Sequence, residues 1–150
     1  TGHLCLGTLH ANNANQAIER VMNFFPEERH PQIYMQLSLN LRSIISQRLV
    51  RTREGKRAAA VEILMDTPRI KDLILKGNIG DLKETMDKGG QEGMQTFDQA
   101  LLELIKEGRI SQEDALANAD SANDLRLKIK MEKIAAGEVS EEDKGTELSI

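Results

Sequence analysis

Residues 1–14, TGHLCLGTLHANNA, decide how this chain is read. Residues 4–9 (LCLGTL) form a short apolar run bounded by polar residues, the pattern of a strand buried on both faces of a parallel sheet. Thr8 and His10 then fall at the strand's carboxyl end, where open α/β sheets bind their ligands. An imidazole there can hydrogen-bond a phosphate or a catalytic carboxylate, and its charge changes near neutral pH. A histidine that merely ends a strand would show the same pattern. Asn12 or Asn13 follows as an N-cap, worth roughly 1 kcal/mol. Ile18, Val21, Met22 and Phe25 form the apolar stripe of the helix so opened.

Downstream, residues 27–45 read as a second helix with Ile33, Leu37, Leu41, Ile44 and Ile45 on one stripe and Pro31 near its start, where a missing N–H is tolerated. Residues 46–65 read as a β-hairpin: SQRLV, a polar turn RTREGK containing Gly55, then RAAAVEILM. Val61, Ile63 and Met65 alternate along the second strand, and Glu62 points to the other face as a solvated residue. Thr67 and Pro68 cap and open a helix whose stripe is Ile70, Leu73 and Ile74 and whose stop is Gly77. Glycines 77, 80, 89, 90 and 93 flank a short periodic piece around Leu82 and Met86 and permit hinges. Thr96 with Gln99 is a capping box for a helix carrying Phe97, Leu101, Leu104 and Ile105, ended by Gly108, and Ser111 with Asp114 repeats the signal. Residues 125–134 (LRLKIKMEKI) also alternate like a strand, but the Ser121–Asp124 cap and the spacing of Leu127, Met131 and Ile134 select a helix. Its basic residues Arg126, Lys128, Lys130 and Lys133 could touch anionic lipid or an acidic partner, with a solvated face as the default.

At 150 residues and 39% hydrophobic content the chain suffices for one ordinary core and carries no apolar run long enough to span a membrane. Aromatics are 3% and tryptophan is absent, so packing falls to Leu, Ile, Met and Ala in helix-on-sheet and helix-on-helix contacts. The net charge of −4 argues against a nucleic-acid partner, because phosphate binding rests on clustered basic residues. Cys5 is the sole cysteine, which excludes an intrachain disulfide, and is expected in the core. His3 and His10, in one strand at ~3.3 Å per residue, lie roughly 20 Å apart and cannot share an ion; His3 and Cys5 share a face but are too few for zinc, so no metal site is expected.

The GHL of residues 2–4, followed after a few apolar residues by the TLH of residues 8–10, resembles the histidine box of the type IV pilus and type II secretion ATPases, a RecA-like family of hexameric motors. The match continues through NQAIERVMNFFPEE, LSLNLRSIISQRLV, AAAVEILM, TPRIKDLILKG and GMQTFDQALLELIKEGRIS. That order resembles the retraction branch, the PilT and PilU ATPases, and ANNANQAIER and ADSANDLRLKIK are closer to the PilU type. Specificity lies in the ordered set over residues 1–136, because no single short motif would suffice.

The resemblance implies an α/β fold: the C-terminal remainder of a RecA-like ATPase core over residues 1–66 and an all-helical region over 67–136; beyond it, the polar, acidic composition of residues 137–150 predicts a disordered tail. The resemblance attaches function to both box histidines; their ~20 Å separation along a strand favours His10 as the catalytic, nucleotide-sensing residue, with His3, Thr8 and Asn12 as nucleotide-sensing or interface support. Residues 69–76, RIKDLILK, stand where the family carries the retraction signature AIRNLIRE. Ile70, Leu73 and Ile74 are kept, while Lys71 replaces an arginine and Leu75 and Lys76 replace an Arg-Glu pair. Lysine is a poorer bidentate partner than arginine, which fits an accessory motor better than the main one. Arg20, Arg42 and Arg48 are candidates to reach a neighbouring subunit's nucleotide; none is taken as catalytic.

No GxxxxGK[ST] loop occurs in these 150 residues, and the family's acidic strand and catalytic glutamate lie upstream of the histidine box. The expectation is a C-terminal piece, inactive alone, of a longer cytoplasmic ATPase at the inner face of the bacterial inner membrane. That parent would use ATP and Mg2+, form a homo-hexamer beside a paralogous retraction ATPase, and act on the inner-membrane pilus platform protein. Alternatives are a type II secretion or pilus extension ATPase, or a non-catalytic pilus-assembly binding module.

Overall fold

Local capping chemistry sets most helix starts in the computed structural model, which describes residues 2–135; the acidic tail at 137–150 lies outside the described residues. Helix α1 (Ala14–Met22) begins where the Asn13 side chain accepts the Gln16 N–H at 2.9 Å, so Asn13 rather than Asn12 is the cap. Helix α2 (His30–Asn40), preceded by a 3-10 turn at Glu27–Arg29, is followed by an antiparallel hairpin of β1 (Ser43–Arg51) and β2 (Arg57–Met65). Its register pairs Ser43 with Met65 and Arg51 with Arg57. Gly55, at φ +79°, takes the left-handed position the connecting turn needs.

Five helices follow: α3 (Pro68–Leu75), α4 (Leu82–Lys88), α5 (Phe97–Lys106), α6 (Gln112–Asn118) and α7 (Ala122–Ala135). Thr67 caps α3, Thr96 and Gln99 form the reciprocal capping box of α5, and Ser111 caps α6. Gly77 ends α3 at φ +72°, and a Cβ there would lie 3.3 Å from the Tyr34 ring of α2. The position thus needs glycine for its backbone angle and is tight for its packing.

Two apolar clusters hold these elements. One joins Val50, Ala58 and Ala60 of the hairpin to Phe97, Leu101, Leu104, Ile110, Leu125 and Ile129. The other joins Ile18 and Met22 of α1, Leu64 of β2, and Ile70, Leu73, Ile74, Leu82 and Met86. Each fully buried Leu, Ile or Phe contributes roughly 1.5–3 kcal/mol. Along one face of β2, Ala58 and Ala60 enter the first cluster and Leu64 the second, with buried Glu62 between them.

The α/β class stands, but five sequence expectations do not. Residues 4–9 are not a strand: they carry no regular secondary structure and are exposed, Leu4 at 79% and Leu6 at 88%, and Cys5 is exposed rather than in a core. A strand exists through a hydrogen-bonded neighbour. Residues 5–11 instead face Ser43–Gln47 of β1 across an open cleft of about 430 Å³. The second helix ends at Asn40, and Ile44 and Ile45 belong to β1. Isoleucine at both spacings reads equally as helix or strand, and pairing with β2 decides it. Glu62 is buried, not solvated. Finally, α7 buries Leu125 and Ile129, while Leu127, Met131 and Ile134 are exposed at 57%, 61% and 55%.

Candidate functional site

The histidine-bearing segment runs alongside β1. His3 and Cys5 line a hollow with Asn40, Leu41, Arg42 and Ser43, and Thr8 and Leu9 line the cleft beside Ser46 and Gln47. The Asn12 carbonyl accepts from Arg48 Nη2 at 3.2 Å. His3 therefore lies by the start of β1, and His10 just before the point where the segment meets Arg48. His10 and Thr8 are exposed. Asn12 meets the hairpin through its backbone carbonyl, and its N–H goes to Gln16 Oε1 of α1 at 3.2 Å.

Where the segment becomes α1, two hairpin side chains take hold of it. Glu62 Oε1 accepts the Ala14 N–H at 2.8 Å, satisfying one of the N–H groups a helix start leaves orphaned. Arg48 divides its guanidinium between the Asn12 carbonyl, the Asn118 carbonyl at 3.0 Å and the Asp120 carboxylate at 2.6 Å, and its Cζ lies 3.9 Å from the Phe97 ring centroid. A planar fork of five donors suits this division of labour; an ammonium does not.

The charges continue beyond Arg48. Asp120 also meets Lys83 of α4 at 3.6 Å, Lys83 reaches Asp98 of α5 at 3.0 Å, and Asp98, 3% exposed, accepts the Asp120 N–H at 2.9 Å. Glu62 faces this group, and burial raises its pKa; the Ala14 N–H, Arg48 and Lys83 oppose the rise, and Asp120 adds to it. Each charge in the seam has an opposite charge or an N–H partner, as burial requires.

Helix α3 presents two faces. Ile70, Leu73 and Ile74 are buried in the second cluster. Lys71 instead reaches back to Asp66 at 3.1 Å, where Arg42 also binds at 3.0 Å, and these two cations, Lys71 the stronger, lower the Asp66 pKa. Lys71 thus makes an ion pair with the end of the hairpin, while Ile70, Leu73 and Ile74 build core.

Sequence reading missed Glu62, Lys83, Asp98 and Asp120, and left Arg48 as a distant candidate for a nucleotide. A usable signal existed for Glu62: it shares the period-2 face of Ala58, Ala60 and Leu64, small and apolar residues that mark a covered face. The others are joined only by tertiary contact.

Beneath the histidine segment, then, lie a hairpin and a helical region joined by a charged seam. The chain belongs to the Type II/IV secretion system protein family, whose model matches residues 1–140. Within it the sequence is of the PilT/PilU kind: it is 60% identical over 132 residues to the type IV pilus ATPase PilU of Pseudomonas aeruginosa, covering 87% of this chain and 35% of that protein. It is 41% identical over 119 residues to the retraction ATPase PilT of the same organism, covering 79% of this chain and 35% of PilT. The crystal structure of the pilus retraction motor PilT with bound ADP superposes with a TM-score of 0.75 at 35% identity, over 85% of this chain and 35% of that one. This chain thus spans about a third of the length of the relatives it matches.

Proposed function

We propose that this chain is the C-terminal part of a hexameric ATPase that powers type IV pilus retraction and twitching motility. The 60% identity to PilU, across 87% of the chain, carries this reading. In the longer protein, ATP and Mg2+ would be held by the phosphate-binding loop and acidic groups that this chain does not contain. The chain itself would supply His10 as the catalytic, nucleotide-sensing residue, supported by His3, Thr8 and Asn12. An exposed imidazole on a segment hydrogen-bonded to the hairpin and, through Arg48, to the helical region suits that role. Among the described residues β1 pairs in its sheet with β2, and its other edge, with the cleft beside residues 5–11, would give further strands of the longer protein a place to add.

In this reading residues 1–66 complete a RecA-like core and residues 67–136 form the helical region, with Ile70, Lys71, Leu73 and Ile74 on the helix that converts hydrolysis into retraction. The partners are other copies in a homo-hexamer, a paralogous retraction ATPase and the inner-membrane pilus platform protein, and the site of action is the cytoplasmic face of that membrane. Among the described residues no helix is long and apolar enough to cross a membrane.

The test is magnesium-dependent ATP hydrolysis and oligomeric state, measured on this chain and on its full-length parent. Hydrolysis by the parent hexamer alone supports the motor. Hydrolysis by the isolated chain overturns its inactivity, and silence in both favours a non-catalytic assembly module.

A further inference from the structure

Residues 11–14 link the exposed histidine segment to α1, and two hydrogen bonds tie them to the hairpin: Arg48 to the Asn12 carbonyl at 3.2 Å and Ala14 N–H to Glu62 at 2.8 Å. Arg48 is at the same time bound to Asn118 and Asp120, at the junction of α6 and α7, and Asp120 leads through Lys83 to α4 and to Asp98 of α5. The two side chains project from the same face of the hairpin, since Arg48 stands opposite Ala60 and Glu62 is the next residue on that face. Glu62 sits where the two apolar clusters meet, on a strand whose backbone is fixed by its ladder.

We propose that Arg48 and Glu62 are positioning residues, a two-point clamp that sets the place of His10 and makes the histidine segment move with the helical region. Neither touches a reacting atom; both act through the backbone of residues 12–14. The proposal rests on the ATPase reading for its kinetic consequence and on geometry alone for the clamp. A single guanidinium that bonds Asn12 on one side and Asn118 and Asp120 on the other lets a shift of the histidine segment be felt at the α6–α7 junction only while it stays whole. Such coupling requires an element that both sites bias, and Arg48 is where they meet.

The test uses the full-length parent. Arg48→Lys keeps the charge beside Asp120 but cannot reach both carbonyls as well. Glu62→Leu keeps volume and removes the acceptor, and Glu62→Gln keeps an acceptor oxygen for Ala14. Amide exchange at residues 11–14 should quicken roughly tenfold or more in Arg48→Lys and Glu62→Leu and stay near wild type in Glu62→Gln. In steady-state hydrolysis, the first two should lose roughly tenfold or more in kcat with KM for ATP within about twofold, the signature of a misplaced group. Glu62→Gln should recover most of that loss. Unchanged exchange in Arg48→Lys overturns the clamp, and so does a wild-type kcat in that variant or equal behaviour of Gln and Leu at position 62. Should Glu62→Leu fail to fold, Arg48→Lys decides. A parent that hydrolyses no ATP overturns the motor reading, while the exchange measurement still decides the clamp.

Discussion

The guanidinium carbon of Arg48 lies 3.9 Å from the centroid of the Phe97 ring, which is fully buried. Phe97 is the first residue of α5, directly after the Thr96 cap, so the capping box that starts the helix also fixes the ring over which the cation sits. Half-buried beneath other contacts, with its side chain 23% exposed, Arg48 gains more from the ring's quadrupole than an exposed cation would.

Removing Arg48 should therefore be costly. Among the described residues, Arg48→Ala leaves the Asp120 carboxylate the longer contact to Lys83 at 3.6 Å and leaves two carbonyls without their Arg48 donor. The expected loss is about 2–4 kcal/mol, near the range for breaking a buried ion pair, read from denaturant midpoints. A double-mutant cycle of Arg48→Met with Phe97→Leu should return a coupling of about 0.5–2 kcal/mol; additive effects would show that the ring serves only as apolar filling.

Glu62 makes stability depend on pH in the direction opposite to an ordinary salt-bridged acid. Burial raises its folded pKa above the unfolded value near 4.5, so the folded state holds the proton more tightly. This contribution is fully present below the unfolded pKa and is lost as pH rises through the folded one. Arg48, Lys83 and the Ala14 N–H limit the rise, and Asp120 adds to it. Glu62→Gln should thus unfold at a higher temperature than wild type near pH 7, with the gain vanishing below about pH 4.5. A gain that persists unchanged at acid pH would place its origin elsewhere.

Features encoded by neighbours in sequence were legible. The caps at Asn13, Thr67, Thr96, Ser111 and Ser121, and the stops at Gly77 and Gly108, follow from side chains acting within one turn. What escaped depends on distant partners. Residues 4–9 have a strand's composition without a paired neighbour, and Ile44 and Ile45 fit helical spacing until β2 pairs with them. The buried face of α7 was set by which residues meet Leu101 and Leu104, a fact its own alternation does not contain. At the candidate site, the histidine segment was singled out by its resemblance to a family box, whereas the seam under it joins positions 48, 62, 83, 98 and 120, which no local pattern connects.

His10 bears directly on the proposed chemistry. It is exposed, so His10→Ala removes few packing contacts and should change stability by about 0.5 kcal/mol or less. In the full-length protein the variant should keep its oligomeric state and lose about 10²-fold or more in ATP turnover, the scale of a general acid–base or charge-stabilising group. Turnover at the wild-type rate would make His10 an ordinary surface histidine.

On α3 a fully buried residue, Ile70, stands next to a partly exposed one, Lys71, so the proposed role of the helix can be tested apart from its stability. Ile70 is fully buried against Leu64 and Leu73, so Ile70→Ala should cost about 2–5 kcal/mol and depress hydrolysis and pilus retraction together. Lys71 is partly exposed and bound to Asp66, which also holds Arg42, so Lys71→Ala leaves that carboxylate one partner and should leave thermal stability nearly unchanged. If α3 turns hydrolysis into retraction, Lys71→Ala should impair twitching while ATP turnover stays near wild type. Lys71→Arg should keep the bond to Asp66 and offer further donors to a partner outside this chain. Equal losses of turnover and twitching in Lys71→Ala would assign the ion pair to folding alone, because an α3 that only stabilises the hairpin end cannot uncouple the two.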